Sequence, residues 1–301
     1  QWDQTALEVC KYKGKIYCIN DYVNPLALLY NTQHYKEAGL DPNKPPTNPT
    51  ELAEMAKAVA DGVPVQAILC DDLAQVAGVN SPAQLAELER IHQRRQAEQL
   101  MAQGVRLLDP SRFDLRGELT CAADVQIDVN CVFAGRVVLG EGVQIGAHCV
   151  LSDCQIEAGA QILPFTHIDG EALGVKVGAG ARVGPYARLR PGSDLGPDVH
   201  IGNFVEVKNS RMGAGSKANH LAYVGDTEMG RDVNYGAGSI TANYDGANKH
   251  TTVIEDRVHV GRNCVIVAPV RLGAGGTIGG GSTITKDTPP EALTVARGKQ
   301  V

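Results

Sequence analysis

Val177-Gly178-Ala179-Gly180-Ala181-Arg182-Val183-Gly184-Pro185-Tyr186-Ala187-Arg188-Leu189 returns to an aliphatic residue every six positions, and the register continues through Leu195, Ile201 and Val207. A step of five leads to Met212, and Val224, Met229 and Tyr235 follow. The same register runs upstream through Ile127, Phe133, Leu139, Ile145 and Leu151, and through Ile156 and Ile162 after another five-step. Downstream it returns at Ile254, Val260, Ile266, Leu272, Ile278 and Ile284. A helix has no six-residue period, and this much glycine would destabilise one. A hexapeptide period marks a parallel β-helix. One aliphatic side chain per repeat points inward, and the small residue that often follows it permits close backbone approach or a positive φ at the corners.

Composition agrees. The chain has 301 residues, 43% hydrophobic but only 5% aromatic, as suits a narrow interior filled by aliphatic side chains. A formal charge of −6 argues against a general nucleic-acid surface. No apolar run is long enough to cross a membrane. The eight cysteines form no CxxC or Cys/His zinc spacing, so they read as buried thiols of a reducing cytoplasm, with no metal expected. The chain starts at Gln1 without an initiator Met or a signal-peptide pattern, which reads as a fragment or a spliced product.

Residues 1–50 lack the repeat. Val9 to Ile19 reads as a hairpin about Lys13-Gly14, and Asn24 to Leu40 as extended chain and then a helix closing at Gly39. Asp41 to Pro46 breaks the chain, and Glu51 to Ala60 is a helix capped by Thr50. A strand is expected at Val65 to Leu69. The helix Pro82 to Gln103 has Ser81 as N-cap, Pro82 at N1 and Gln84 three residues on, with Gly104 as its stop. Leu85, Leu88, Ile91, Leu100 and Met101 fall on one side of it, as in a connector between domains.

Two resemblances emerge. Gly14-Lys15-Ile16-Tyr17, Asn24 to Asn31 and Tyr35 to Pro42 resemble a piece of the extracellular sugar-binding proteins of ABC importers, too short to carry both lobes of a cleft. A third activity class, sugar reception, rests on this piece alone. From about residue 56 to 301 the chain resembles the bacterial bifunctional N-acetylglucosamine-1-phosphate uridylyltransferase/glucosamine-1-phosphate acetyltransferases. Arg188-Leu189-Arg190-Pro191-Gly192, Gly202-Asn203-Phe204-Val205-Glu206-Val207-Lys208, Lys217-Ala218-Asn219-His220-Leu221-Ala222-Tyr223 and Asn243-Tyr244-Asp245-Gly246-Ala247-Asn248-Lys249 carry it. The expected fold is mainly β: a left-handed parallel β-helix behind a connector helix and a small α/β remnant. The expected domains are a solute-binding-protein-like fragment 1–50, a nucleotidyltransferase remnant 51–80, the connector helix 81–104, the β-helix 105–287 and a tail 288–301. The family's Gly-rich nucleotide loop is missing. Asn80 matches a magnesium-holding asparagine, but one neutral amide does not hold that cation, so uridylyl transfer is expected to be absent.

The resemblance implies acetyl transfer from acetyl-CoA to the amine of glucosamine 1-phosphate, without magnesium, in the cytoplasm, on the route to UDP-N-acetylglucosamine and to cell-wall and lipopolysaccharide precursors. The amine must lose a proton, the oxyanion must be stabilised, and both substrates must be held in line. A histidine in a polar stretch is by itself more often a solvated surface residue. The motif around His220 makes it the implied base, with Glu206 orienting or tuning it. Arg190 and Lys208 are the implied anchors of phosphate and sugar, helped by Tyr223, Asn234 and Lys249. Ala237, Asn243, Tyr244, Gly280 and Arg297 match acetyl-CoA positions. Arg262 departs from the family, which commonly has Ser there; it either pairs with a CoA phosphate or crowds the pantetheine channel. The repeat breaks between Thr241 and Val253, where a loop leaves the wall. The family forms homotrimers with shared sites. The alternative is a catalytically silent β-helical trimerisation scaffold.

Overall fold

The computed structural model describes residues 77–298 continuously, and before them only 11–12, 15–16, 36, 39–41, 43–44, 50–51, 54–55 and 72–75. Two compact units result, Gln1–Ile91 and His92–Val301.

In the first unit Lys11–Tyr12 pairs antiparallel with Lys15–Ile16, within the expected hairpin, whose Lys13-Gly14 lies outside the described residues. Gly39, at φ 71°, donates its amide to the Lys36 carbonyl, as a helix end should. Asp41 caps the following turn through the Asn43 amide. Thr50 is itself helical rather than the cap. The expected strand Val65 to Leu69 and most of the importer-like piece lie outside the described residues. Ser81 Oγ accepts the Gln84 amide, while Gln84 Oε1 accepts the amide of Asn80, a capping box displaced by one residue.

The second unit is a left-handed parallel β-helix of hexapeptide repeats with about 10 turns. One wall is an eleven-stranded sheet from Arg106–Leu107 to Leu293–Thr294. The other two walls form one sixteen-stranded sheet, because Phe113–Cys121, Cys131–Leu139 and Val150–Ile156 bend across their common corner. We call the eleven-stranded sheet the first wall. The second wall carries Arg188–Leu189, Glu206–Lys208 and Tyr223–Gly225, and the third carries Arg211–Met212 and Thr227–Met229. Successive coils pair parallel throughout, for instance Arg188↔Glu206 and Glu206↔Tyr223.

The repeat aliphatics all point inward: Ile127, Leu139, Ile156, Val183, Leu195, Val207 and Ile266 are buried. Cys131 and Cys149 share that interior, as their place in the repeat suggests, and burial pushes their thiols up to about 11 and about 12. The small residue after the aliphatic is demanded mainly by close approach. A Cβ on Gly178 would lie 2.5 Å from the Gly196 backbone, and one on Gly202 would overlap the Asn219 carbonyl. The positive-φ corners are instead taken two residues later, by residues such as Gly180, Asp198 and Asp232.

The first coil has no coil beneath it, and the end of the helix Pro82–Ala102 supplies a cover. Gln93 donates from Nε2 to the Leu115 carbonyl (2.8 Å) and accepts the Leu115 amide at Oε1 (2.7 Å), as a neighbouring strand would. The helix residues buried against the β-helix are Gln93, Ala97 and Leu100, whereas Leu85, expected on the apolar side, is exposed. A Schellman ending follows, with Val105 bonded to Leu100 and Gly104 to Met101.

Tyr235 occupies a repeat aliphatic position between Ala218 and Val260, and the small Ala218 leaves room for its ring. It is 1% exposed, and its hydroxyl has no hydrogen-bond partner. Stranding a hydroxyl in this way costs about 1–3 kcal/mol. Tyr235→Phe is therefore expected to leave the β-helix intact and raise its melting temperature; a lower melting temperature would mean that the hydroxyl contributes to stability.

Candidate active site

His220 ends the first-wall strand Lys217–His220, and the pairing of coils sets it beside Asn203. Its Nδ1 lies 2.8 Å from Asn203 Oδ1. With the amide oxygen accepting, Nδ1 carries the proton and the exposed Nε2 keeps a free lone pair. His220 stands at the rim of a cleft of about 420 Å³, whose lining includes Asn219, Asn234, Ala237, His259 and Arg262. Asn234 Nδ2 lies 3.1 Å from His259 Nδ1, which fixes both side chains against the same wall.

The expected partnership of Glu206 with His220 is not what the structure contains. Glu206 lies on the second wall, where its carboxylate takes Arg190 Nη1 at 2.9 Å and Arg188 Nη1 at 3.8 Å. Both arginines project from the coil preceding Glu206, so they meet the carboxylate directly, while Asn203 has already taken His220.

Beyond Arg190 on the same wall stands Lys208. The Lys249 side chain meets it, and that contact, then burial, holds the Lys208 ammonium below its usual range; Asp226 nearby opposes the shift. Two ammonium groups in contact form a site that wants an anion. Tyr223 folds over Gly225, the register partner of Lys208, and a Cβ at Gly225 would collide with the phenol oxygen. The second wall thus gathers Arg190, Lys208, Tyr223 and Lys249.

The wall strands end at Ala242 and resume at Thr252, so the loop runs over residues 243–251. Tyr244 bridges antiparallel to Lys249. Asp245 caps the turn by accepting the amides of Ala247 (2.8 Å) and Asn248 (2.7 Å), and it also meets His250 Nε2 at 2.7 Å. The Asn248 amide, followed by His250, holds the Asp245 carboxyl far below the usual carboxylate range. Tyr244 is exposed on this loop, whereas Asn243 is buried with its amide given to Asp226. Asn243 therefore holds the loop down, and its side-chain nitrogen is not directed at an open cleft. Gly280 and Arg297 do come together, with Arg297 Nη1 donating to the Gly280 carbonyl at 2.6 Å. Arg262 lies one coil away from them and accepts the Gly281 amide at its own carbonyl.

Sequence reading missed Asn203, Asp226, Gly225 and His259. A usable signal was present, since one turn here is 17 residues: Asn203 to His220, Asn209 to Asp226 and Asp226 to Asn243 are each bonded at that spacing.

Residues 174–209 match the family model described as bacterial transferase hexapeptide (six repeats). The chain is 68% identical over 260 residues to the bifunctional protein GlmU of Acidovorax ebreus, covering 84% of this chain and 54% of that protein. It is 70% identical over 251 residues to the bifunctional protein GlmU of a Polaromonas species, covering 83% and 52%. Among solved structures, the UDP-N-acetylglucosamine acyltransferase of Francisella novicida aligns with a TM-score of 0.44 at 17% identity, covering 62% of this chain and 66% of that one. The chain spans about half the length of the curated relatives it matches. Over that half, the chain is similar in sequence to the bifunctional GlmU proteins, and residues 174–209 carry the hexapeptide repeat of bacterial transferases.

Proposed function

We propose that this chain is a glucosamine-1-phosphate N-acetyltransferase that takes its acetyl group from acetyl-CoA. The reading is carried by the His220–Asn203 bond at the rim of the cleft, which leaves one imidazole nitrogen free to accept a proton. The sugar amine gives a proton to His220 Nε2 while its nitrogen forms a bond to the thioester carbonyl carbon. The carbon–sulfur bond of the tetrahedral adduct then breaks, the carbonyl re-forms, and the departing CoA thiolate takes the proton from His220. Lys208 and Lys249 hold the phosphate, with Arg190 beside them, and Tyr223 and Asn234 hydrogen-bond the sugar. Ala237, Tyr244, Gly280 and Arg297 border the acetyl-CoA path, and Asn243 supports it by anchoring the loop. The step needs no magnesium, and uridylyl transfer lies outside the proposal. The setting is cytoplasmic, in the synthesis of UDP-N-acetylglucosamine for cell-wall and lipopolysaccharide precursors. A silent scaffold is the competing reading, favoured by the charged Arg262 at the cleft.

Thiol release from acetyl-CoA in the presence of glucosamine 1-phosphate separates the two. Turnover is expected, and none with the folded protein sinks the proposal. Under the same conditions with UTP and N-acetylglucosamine 1-phosphate, no pyrophosphate is expected.

The geometry divides the side chains into two classes. His220→Ala is expected to lower kcat at least about a hundredfold. Asn203→Ala should lower kcat with little change in KM, because the imidazole loses its tautomer anchor. Glu206→Gln should act mainly on KM for the sugar phosphate, through the freed Arg190. A kcat loss for Glu206→Gln as large as that for Asn203→Ala would restore Glu206 as the partner of the base.

His220 and Asn234 lie on the first wall, while Arg190, Lys208 and Tyr223 lie on the second. A homotrimer in which the walls of neighbouring copies face each other brings the two sets together. After mixed reassembly, an inactive His220→Ala chain and an inactive chain lacking residues 243–249 are expected to regain activity. Mixed trimers that remain inactive would place both elements of each site in one chain.

A further inference from the structure

The carboxylate of Asp226 is 8% exposed at the corner between the second and third walls. Its Oδ1 accepts Asn209 Nδ2 at 2.5 Å from the coil below, and its Oδ2 accepts Asn243 Nδ2 where the loop leaves the wall. Its carbonyl accepts the amide of Thr252, where the loop rejoins the wall, at 3.1 Å. Its own amide donates to the carbonyl of Lys208, again at 3.1 Å. One residue thus bonds to the coil below, to both ends of the loop and to the backbone of an anchoring lysine. The neck is closed once more by the His250 amide, which donates to the Asn243 carbonyl at 2.8 Å.

We infer that Asp226 is a positioning residue that closes the neck of the 243–251 loop and so sets Lys249 against Lys208 as a two-cation cradle for the substrate's phosphate. The inference rests on the acetyltransferase reading for the identity of the anion, and on the geometry alone for the clamp.

Two ammonium groups do not meet unaided; like charges in contact repel. Arg190 adds a third positive charge, but Glu206 matches it, and Glu206 also faces Arg188. The groups acting on Lys208 are Lys249 from the loop, Arg190 from the coil below and Asp226 from the corner, and of these only Asp226 is negative. Its charge offsets the repulsion, while its hydrogen bonds prevent the loop from relieving that repulsion by swinging away. The carboxylate sits behind the cradle and is consumed by two amides, so it does not compete with an incoming phosphate for the ammonium groups.

The test uses the full chain and two variants. Asp226→Asn keeps the shape, removes the charge and leaves two amide donors facing one acceptor. The exchange variant Asp226→Asn with Asn243→Asp restores both: the amide oxygen at 226 accepts Asn209, its nitrogen donates to the carboxylate now at 243, and the charge stays in the neck. Two quantities are measured: binding of glucosamine 1-phosphate by calorimetry between pH 6 and 10, and hydrogen exchange of the amides of residues 244–250. Asp226→Asn is expected to weaken binding roughly tenfold or more, the scale of a charge-assisted contact. The loop amides should exchange faster. Lys208 loses the one neighbour that raises its pKa, so the alkaline loss of binding should begin at lower pH than in the unaltered protein. The exchange variant should recover affinity, pH limb and protection. Unchanged binding, pH limb and exchange in Asp226→Asn overturns the inference. Should that variant not fold, a folded exchange variant with weak binding and an unprotected loop overturns it equally. If the unaltered protein binds no sugar phosphate, the acetyltransferase reading fails, while the exchange rates still decide the clamp.

Discussion

Every coil of the β-helix hydrogen-bonds along its length to the coils on either side, and this fixes where each outward side chain can stand. Residues one coil apart share a column, and no side chain leaves its column without breaking the ladder. The polar residues of the second wall are also braced from inside. Buried hydroxyls donate to the carbonyls of residues that project outward: Ser193 to Arg190 at 2.7 Å and Ser210 to Lys208 at 2.7 Å. These hydroxyls have partners, whereas the buried hydroxyls of Tyr235 and Thr252 have none. A scaffold of this stiffness places its reactive groups before any ligand arrives, which is what electrostatic preorganisation requires.

Within that frame the charges are unevenly matched. Arg190 has a carboxylate, whereas Lys208 and Lys249 face each other. The unbalanced charge therefore lies at the lysine pair, where the loop meets the wall. A loop is the part of a solenoid most free to move, and repulsion would drive this one outward. The bonds of Asp226 to both ends of the loop, and the internal cap made by Asp245, oppose that drift at the neck and at the tip respectively. Neither acid was conspicuous in the linear sequence.

Much of the architecture was legible there, because the hexapeptide period is itself the inward face of the wall. Positions Ile127 to Ile284 in that register are buried as the pattern requires, and the break near Thr241 is a loop. Reading the site was harder. Motifs mark stretches, and within a stretch they do not say which neighbour a side chain meets. Glu206 and Asn203 lie three residues apart in one motif, yet a corner separates them, so one faces Arg190 and the other His220. The five-residue steps from Val207 to Met212 and from Val224 to Met229 each shorten a turn to 17 residues. Applied as a ruler, that number pairs Asn203 with His220 and Asp226 with both Asn209 and Asn243. The helix was read in part: Leu100 of its expected stripe is buried and Leu85 is not, while the uncovered edge of the first coil needs a hydrogen-bonding partner that a hydrophobic pattern does not announce, and Gln93 supplies one.

The same rigidity bears on how a complete site can form. His220 stands at the edge of the first wall and Lys208 on the second, with the exposed Phe204 and Leu221 at the corner between them. Asn203 and Phe204 are consecutive, so the corner turns immediately after the residue bonded to His220. Neither wall can fold toward the other, since each is held in register by every coil above and below. The cleft at His220 is consequently open on the side away from its own wall. Ligand sites bury most of the ligand's surface, so closure has to come from something that is not part of the ladder. The 243–251 loop is one such element, but its neck is tied to the second-wall corner through Asp226. In the proposed trimer, a second copy of the prism supplies a facing wall. On the shared-site proposal, the stiffness that fixes each half of the chemistry also makes assembly necessary for the whole.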